Sequence, residues 1–183
     1  AMSAHKLYGP KGVGALYVRA GTRLMPLIHG GGQEREMRAG TENVAGIIGF
    51  GVAVQHAQPI STDARDAFWA ALELPEAVRT VPPEIPVLPG HVHFRVPGIT
   101  AESLLIRLDR MGLSASSGAA CSSGSLEPSH VLMACGLSEA EAQEGIRITF
   151  GRGQTAETGI RAAEFVREAV RLIQEAQGGR RIT

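Results

Sequence analysis

Lysine is scarce in this sequence, because only Lys6 and Lys11 occur among its 18 basic residues. Chemistry that needs a lysine amine therefore has two candidates. Cysteine is equally scarce, with Cys121 and Cys135 as the only two. Two cysteines in 183 residues exclude a disulfide-rich scaffold. We therefore expect a reducing compartment, the cytoplasm.

Excess charge and long apolar runs are lacking as well. The 18 basic residues are balanced by 18 acidic ones, which argues against electrostatic binding of nucleic acid. The longest apolar stretch, Val44 to Val54, is interrupted by glycines and is shorter than the roughly 20 residues of a membrane span. No apolar segment of a signal peptide precedes Leu7. The 44% of hydrophobic residues fits a soluble globular protein.

Prolines indicate how the chain is divided. Six of the ten prolines fall between Gln58 and Pro89, around a predicted helix from Asp63 to about Val81 that Pro75 should split. We therefore predict two parts, residues 1–58 and residues 59–183. In the first part, strands at 13–18 and 24–28 are predicted to form a hairpin, and Thr41 is predicted to cap a helix over 42–57.

The second part alternates strands with helices. Apolar patterns and end signals predict strands at 91–96, 113–116 and 145–150, and helices at 101–111, from 128, from 139 and at 156–176. The helix from 139 opens with a capping box, Ser138 and Glu141. Such an order predicts a small two-layer α/β or α+β unit.

Cys121 is the strongest candidate nucleophile. It lies in a loop of Ser, Gly and Ala that has no bulky residue to anchor a core, so we expect a mobile and partly exposed thiol. Cys135, in the apolar stretch V-L-M-A-C-G, is predicted to be a small buried thiol. The histidines and cysteines show no spacing of metal ligands, so we predict no metal site.

Further residues could take part in binding or catalysis. Lys6 lies before a Gly-Pro turn, and a fixed amine suits Schiff-base chemistry. Ser3, His5 and Thr41 could hold a phosphate, although each could equally be a turn or cap residue. Arg147, within the strand I-R-I-T-F, is either an outward-facing strand residue or a clamp for a substrate carboxylate.

These motifs, in this order, resemble the NifS/IscS-type cysteine desulfurases, which are pyridoxal 5'-phosphate enzymes of the class V aminotransferase superfamily. S-A-H-K-L-Y-G-P-K-G-V-G resembles the segment of the cofactor-binding lysine, and G-G-G-Q-E-R-E-M-R-A-G-T-E-N-V resembles the phosphate-side segment. S-S-G-A-A-C-S-S-G-S-L-E-P-S-H resembles the active-cysteine loop, and G-I-R-I-T-F-G-R the carboxylate-binding strand. The resemblance implies the fold of the C-terminal part of a fold type I enzyme: the end of the large domain and a small α/β domain.

Carried over to this sequence, the resemblance implies a role for each candidate. Lys6 would bind the cofactor covalently, Ser3 and His5 would hold its phosphate, and Thr41 would reach the phosphate in the neighbouring subunit of a homodimer. The remaining two residues act on the substrate. Cys121 would take sulfur from L-cysteine as a persulfide, for transfer to an acceptor such as an iron-sulfur scaffold or a thiolation carrier, and Arg147 would bind the substrate carboxylate.

The family also supplies cofactor ligands from a region that would precede Ser3. We therefore expect this chain to be the C-terminal part of a desulfurase, inactive and without the cofactor by itself. His91-Val92-His93 stands where the family tends to have an asparagine-containing strand. The alternatives are a selenocysteine lyase or a transaminase on the same scaffold, and a binding module that has kept the fold without the cofactor.

Overall fold

The computed structural model describes residues 1–117 and 128–178. Two compact units make up the chain, Ala1–Pro59 and a second unit that begins at Ile60. None of the helices in these two ranges is long and apolar enough to cross a membrane.

The first unit contains one short sheet, one α-helix and two 3₁₀ turns, the second of them at Gln33–Glu36. Strand β1 (Met2–Ser3) pairs antiparallel with β2 (Gly14–Ala15), and a 3₁₀ turn (Ala4–Leu7) follows β1. Gly14 permits this pairing, because a Cβ there would lie 2.5 Å from the carbonyl oxygen of Met2. The predicted hairpin is wrong: residues 24–28 form no strand. Pro26 lies in the middle of that segment and has no N–H to donate to a strand partner.

Helix α1 (Val44–Gln55) is capped by Asn43, whose Oδ1 accepts a hydrogen bond from the Gly46 amide at 3.1 Å. The prediction that Thr41 caps this helix is wrong, because the helix begins two residues later than expected. A short Asn side chain directly before the first turn reaches an amide that would otherwise have no partner.

Within the described residues, the second unit is built on a four-stranded antiparallel sheet in the order β3-β4-β6-β5. Its strands are β3 (Val78–Arg79), β4 (His91–Arg95), β5 (Ser116–Ser117) and β6 (Gly145–Thr149). β4 and β6 form the centre of the sheet. Residues that alternate along these two strands are buried, namely Val92, Phe94, Ile146 and Ile148.

Helices cover the buried face of this sheet. They are α2 (Asp63–Ala71), α3 (Ala101–Arg110) and α6 (Ala156–Gly178). Two short helices, α4 (His130–Ala134) and α5 (Glu139–Gln143), lie between β5 and β6 in the chain. Phe68, Leu104 and Val166 share one core with the apolar strand residues. The second unit is therefore a two-layer arrangement of helices on a sheet, with polar side chains on the opposite sheet face.

Several boundaries in the second unit differ from the prediction, and one end signal agrees with it. α4 begins at His130 rather than at residue 128. α2 ends at Ala71, so the predicted helix to Val81 is too long, and Pro75 lies beyond its end. β5 begins at Ser116 rather than at residue 113. The capping box of α5 is confirmed, with the Ser138 and Glu141 side chains each accepting the other residue's backbone N–H.

Candidate active site

The 3₁₀ turn after β1 presents Lys6 and His5 to solvent. Ala4 is fully buried, its amide donates to the Val13 carbonyl at 3.1 Å, and its own carbonyl accepts from Gly9 at 2.9 Å. The turn is therefore fixed from its first residue. His5 and Lys6, which follow in the turn, are exposed.

The polar groups of this turn have the chemistry that pyridoxal 5'-phosphate needs. Ser3 is half-buried, and Lys6 makes no hydrogen bond or ion pair within the described ranges. A hydroxyl and an imidazole can hold a phosphate, and an unpaired amine can bond to an aldehyde. The residues present therefore fit the phosphate and the aldehyde carbon of the cofactor. Lys11, in the next turn, is exposed as well, so exposure alone does not distinguish the two lysines.

Thr41 is exposed and lies outside α1. Since Asn43 caps the helix, the Thr41 hydroxyl is not needed for capping. The phosphate role implied for Thr41 concerns a neighbouring subunit and remains a prediction.

Arg147 occupies the centre of the polar sheet face in the second unit. It lies on β6, directly opposite His93 of β4 on one side and Ser116 of β5 on the other. Its side chain is partly buried, yet it has no ion pair or hydrogen bond within the ranges 1–117 and 128–178. A partly buried cation without a counter-ion loses hydration and gains nothing in return. This guanidinium is therefore suited to an anionic ligand.

Arg95, on the same sheet face, is an arginine that does have ion-pair partners. Its guanidinium contacts Glu141 at 2.6 Å and Glu144 at 2.9 Å, and its side chain is 17% exposed. Glu144 also accepts a hydrogen bond from the Gly98 amide at 2.7 Å. The positive charge of Arg95 is thus neutralised within the protein, whereas Arg147 has no such partner among the residues that the structure describes.

Two histidines border Arg147. Burial lowers the pKa of His93 from 6.5 to about 4, and the nearby His91 and Arg147 charges act in the same direction. Burial also lowers the pKa of His91, followed by the Arg147 charge. Both imidazoles are therefore neutral at pH 7. From the sequence alone, these residues stood out only as a departure from the family pattern. Their i, i+2 spacing in a strand was the signal that they share a face.

The structure tests the prediction for only one of the two cysteines. Cys121 lies outside the described residues. Cys135 is exposed at the end of α4, so the prediction of a buried thiol is wrong. Only Leu132 is buried in this five-residue helix, because a helix of little more than one turn covers the core with a single residue.

Comparison with known proteins identifies the class. The family model of aminotransferase class-V matches residues 1–158, so the chain belongs to that family. Cysteine desulfurase IscS of Dictyoglomus turgidum is 48% identical over 164 residues, which cover 85% of this chain and 42% of that protein. Cysteine desulfurase IscS 1 of Archaeoglobus fulgidus is 45% identical over 173 residues, covering 90% of this chain and 45% of that protein.

Solved structures agree with this class. A NifS-like protein matches with a TM-score of 0.76 and 34% identity, over 93% of this chain and 45% of that one. A structure described as SspA in complex with cysteine matches with a TM-score of 0.62 and 37% identity, over 81% and 42%. The predicted fold class, part of a fold type I enzyme, is confirmed. The chain spans less than half the length of these relatives.

Proposed function

We propose that this chain is the C-terminal part of a cysteine desulfurase that depends on pyridoxal 5'-phosphate. The complete protein would convert L-cysteine to L-alanine and pass the sulfur to an acceptor. The observation that carries the proposal is the partly buried Arg147 guanidinium, which has no partner in the described ranges. Relatives named cysteine desulfurase and a related structure that holds cysteine support a carboxylate-bearing amino acid as its ligand.

In this proposal the turn residues hold the cofactor. Lys6 bonds to it covalently, Ser3 and His5 donate to its phosphate, and Thr41 reaches the phosphate of the neighbouring subunit in a homodimer. When bound, the cofactor draws electrons from the substrate and so makes the Cα proton acidic. The Lys6 amine, when free, would be the base that moves this proton.

Cys121 and Arg147 act on the substrate. Arg147 binds the carboxylate through its planar guanidinium. The Cys121 thiolate attacks the substrate sulfur, a new S–S bond forms, and the Cβ–S bond breaks. Its electron pair remains on Cβ, which is then protonated. L-cysteine and the Cys121 thiol thus give L-alanine and a Cys121 persulfide, with no external oxidant.

The finer features of the proposal concern the surroundings of the enzyme. We place it in the cytoplasm, where thiols stay reduced, with a protein acceptor such as an iron-sulfur scaffold or a thiolation carrier. The chain by itself would be inactive and would bind the cofactor weakly, because it carries only one group of the family's cofactor ligands.

The test uses the complete subunit, supplied with pyridoxal 5'-phosphate and L-cysteine. We expect one alanine per sulfur released, and after borohydride reduction a peptide map with the label on Lys6. The Cys121→Ser variant should bind the cofactor but make no persulfide, since a hydroxyl is a far weaker nucleophile at neutral pH.

Two controls sharpen this experiment. Cys135→Ser should retain the activity, because Cys135 has no role in the proposed reaction. The chain 1–183 alone should release no alanine. Label on Lys11 without label on Lys6, or a protein persulfide in the Cys121→Ser variant, would contradict the proposal.

A further inference from the structure

His93 is the cross-strand partner of Arg147. The two residues are paired in the antiparallel ladder of β4 and β6, so their side chains leave the same face of the sheet. Directly opposed Cβ atoms in such a ladder lie roughly 5 Å apart. On the other side, Arg147 is paired with Ser116, which carries no charge. Among the described residues, no carboxylate lies within ion-pair distance of Arg147.

The imidazole of His93 is held in place on two sides. Its Nδ1 lies 2.6 Å from the Thr80 hydroxyl, and the Thr80 amide donates to the His93 carbonyl at 3.3 Å. Its Cε1 lies over Gly145, where a Cβ would be only 3.1 Å away. The His91 ring is nearly parallel to it, at 17° with 6.5 Å between the centroids. The ring is therefore a fixed neighbour of Arg147 and not a mobile surface group.

A negatively charged residue in place of His93 would change the interactions of Arg147. Among the described residues, the neighbours of Arg147 on this face are His91 and His93 of β4 and Ser116 of β5, all neutral at pH 7, and Arg95, which is paired with Glu141 and Glu144. A carboxylate at position 93 would lie within reach of the guanidinium. It would then form an internal ion pair of the kind that Arg95 makes with Glu141 and Glu144.

We propose that His93 is a positioning residue for Arg147. The His93 ring is held by its hydrogen bond with Thr80 and by its position over Gly145. It lies beside the Arg147 guanidinium as a fixed neutral group, and so leaves the positive charge of Arg147 available to a ligand carboxylate. This inference rests on the proposed function of Arg147, which it deepens by naming the residue that keeps the cation available.

The test measures the availability of Arg147 in the chain as it exists, without cofactor. Phenylglyoxal modifies free guanidinium groups, and peptide mass mapping gives the rate at Arg147. We expect His93→Asp to slow this rate roughly threefold or more, because the new carboxylate competes for the guanidinium. His93→Asn, neutral and of the type that the resembling family has in this strand, should slow it far less. The exposed Arg110, at the end of α3, serves as the internal standard.

Equal rates at Arg147 in the wild type and the His93→Asp variant would overturn the inference, as would an Arg147 that does not react in the wild type. A second measurement covers a variant that fails to fold. In the Arg147→Gln variant, NMR titration should show an upward shift of the His93 pKa, because a neighbouring positive charge has been removed. No shift would also overturn the inference.

The complete subunit separates this inference from the proposed function. There, His93→Asp should raise the KM for L-cysteine more than it lowers kcat, and His93→Asn should change the KM less. If the subunit makes alanine from cysteine but His93→Asp has no effect on the KM, only the inference fails. If modification of Arg147 follows the expectation but no desulfurase activity exists, only the proposed function fails.

Discussion

At the scale of single residues, two arginines on one sheet face of the second unit differ in their ion-pair partners. Arg95 is neutralised by Glu141 and Glu144, whereas the cross-strand partners of Arg147 are His93 and Ser116, and no carboxylate in the described ranges pairs with it. Burying a cation without a partner costs free energy. In the proposed function, Arg147 therefore contributes more to binding a carboxylate than to the stability of the fold.

His93 gives a prediction about stability and pH. Its pKa is about 4 in the folded chain, against 6.5 for an unperturbed imidazole, so the unfolded chain takes up the proton first as pH falls. The contribution of His93 is complete above pH 6.5 and is lost as pH falls towards 4. We expect a loss of roughly 2 kcal/mol over that window, reduced because the ring keeps some contact with water.

Urea unfolding at pH 7, 6, 5 and 4 measures this loss. The His93→Asn variant should show a shallower decline than the wild type between pH 6.5 and 4. If the two declines run parallel, the titration of His93 does not contribute to the stability.

The sequence was enough to predict the candidate residues, but it was not enough to predict the neighbours of Arg147 or the exposure of Cys135. The types of Lys6, Cys121 and Arg147, together with their local patterns, were enough to single them out as candidates. The pairing of Arg147 with His93 could not be predicted, because the register between strands more than 50 residues apart is absent from either strand's own pattern. Cys135 was misjudged because an apolar stretch does not reveal how short its helix is.

At the scale of secondary-structure elements, agreement follows the strength of the local signal. The capping box of α5 places its start correctly, because two side chains satisfy two amides within one turn. The hairpin over residues 13–28 failed, because β2 pairs with β1 and not with the segment around Pro26. Strand pairing depends on long-range contacts, whereas caps depend on neighbours in sequence.

Two helical glycines should respond in opposite directions to alanine. In α6, a Cβ at Gly159 would lie 2.9 Å from the Ala64 carbonyl carbon and 3.0 Å from the Phe68 amide nitrogen, both backbone atoms of α2. Gly159→Ala should therefore destabilise the chain by roughly 3 kcal/mol, because the two helices must move apart.

Gly51 in α1 is the matched control, since a Cβ there meets nothing within 4 Å. Gly51→Ala should stabilise its helix by roughly 0.8 kcal/mol through better helix propensity. Thermal unfolding of both variants, followed by circular dichroism, compares them. A Gly159→Ala variant as stable as the wild type would mean that α2 and α6 are not packed this closely.

At the scale of the whole molecule, the two units differ in how much apolar surface they bury. Of the 24 buried apolar residues in the described ranges, only Ala4, Ala39 and Phe50 belong to the first unit. The same unit carries 14 of the 22 exposed large apolar side chains. A unit of this size that buries so little has no core with which to offset its loss of chain entropy.

The two units should therefore differ in stability, with the second the more stable. The amides of α1 should exchange at least a hundredfold faster than those of β4 and β6, because they open without unfolding a shared core.

A shortened chain of residues 60–183 should keep the far-UV spectrum expected for its helices and sheet, and a melting temperature within a few degrees of the full chain. A peptide of residues 1–59 should be unfolded by itself, since its apolar side chains lack a core. Hydrogen exchange measured by mass spectrometry decides the matter: protection in α1 equal to that in β6 would show that the first unit has a stability of its own.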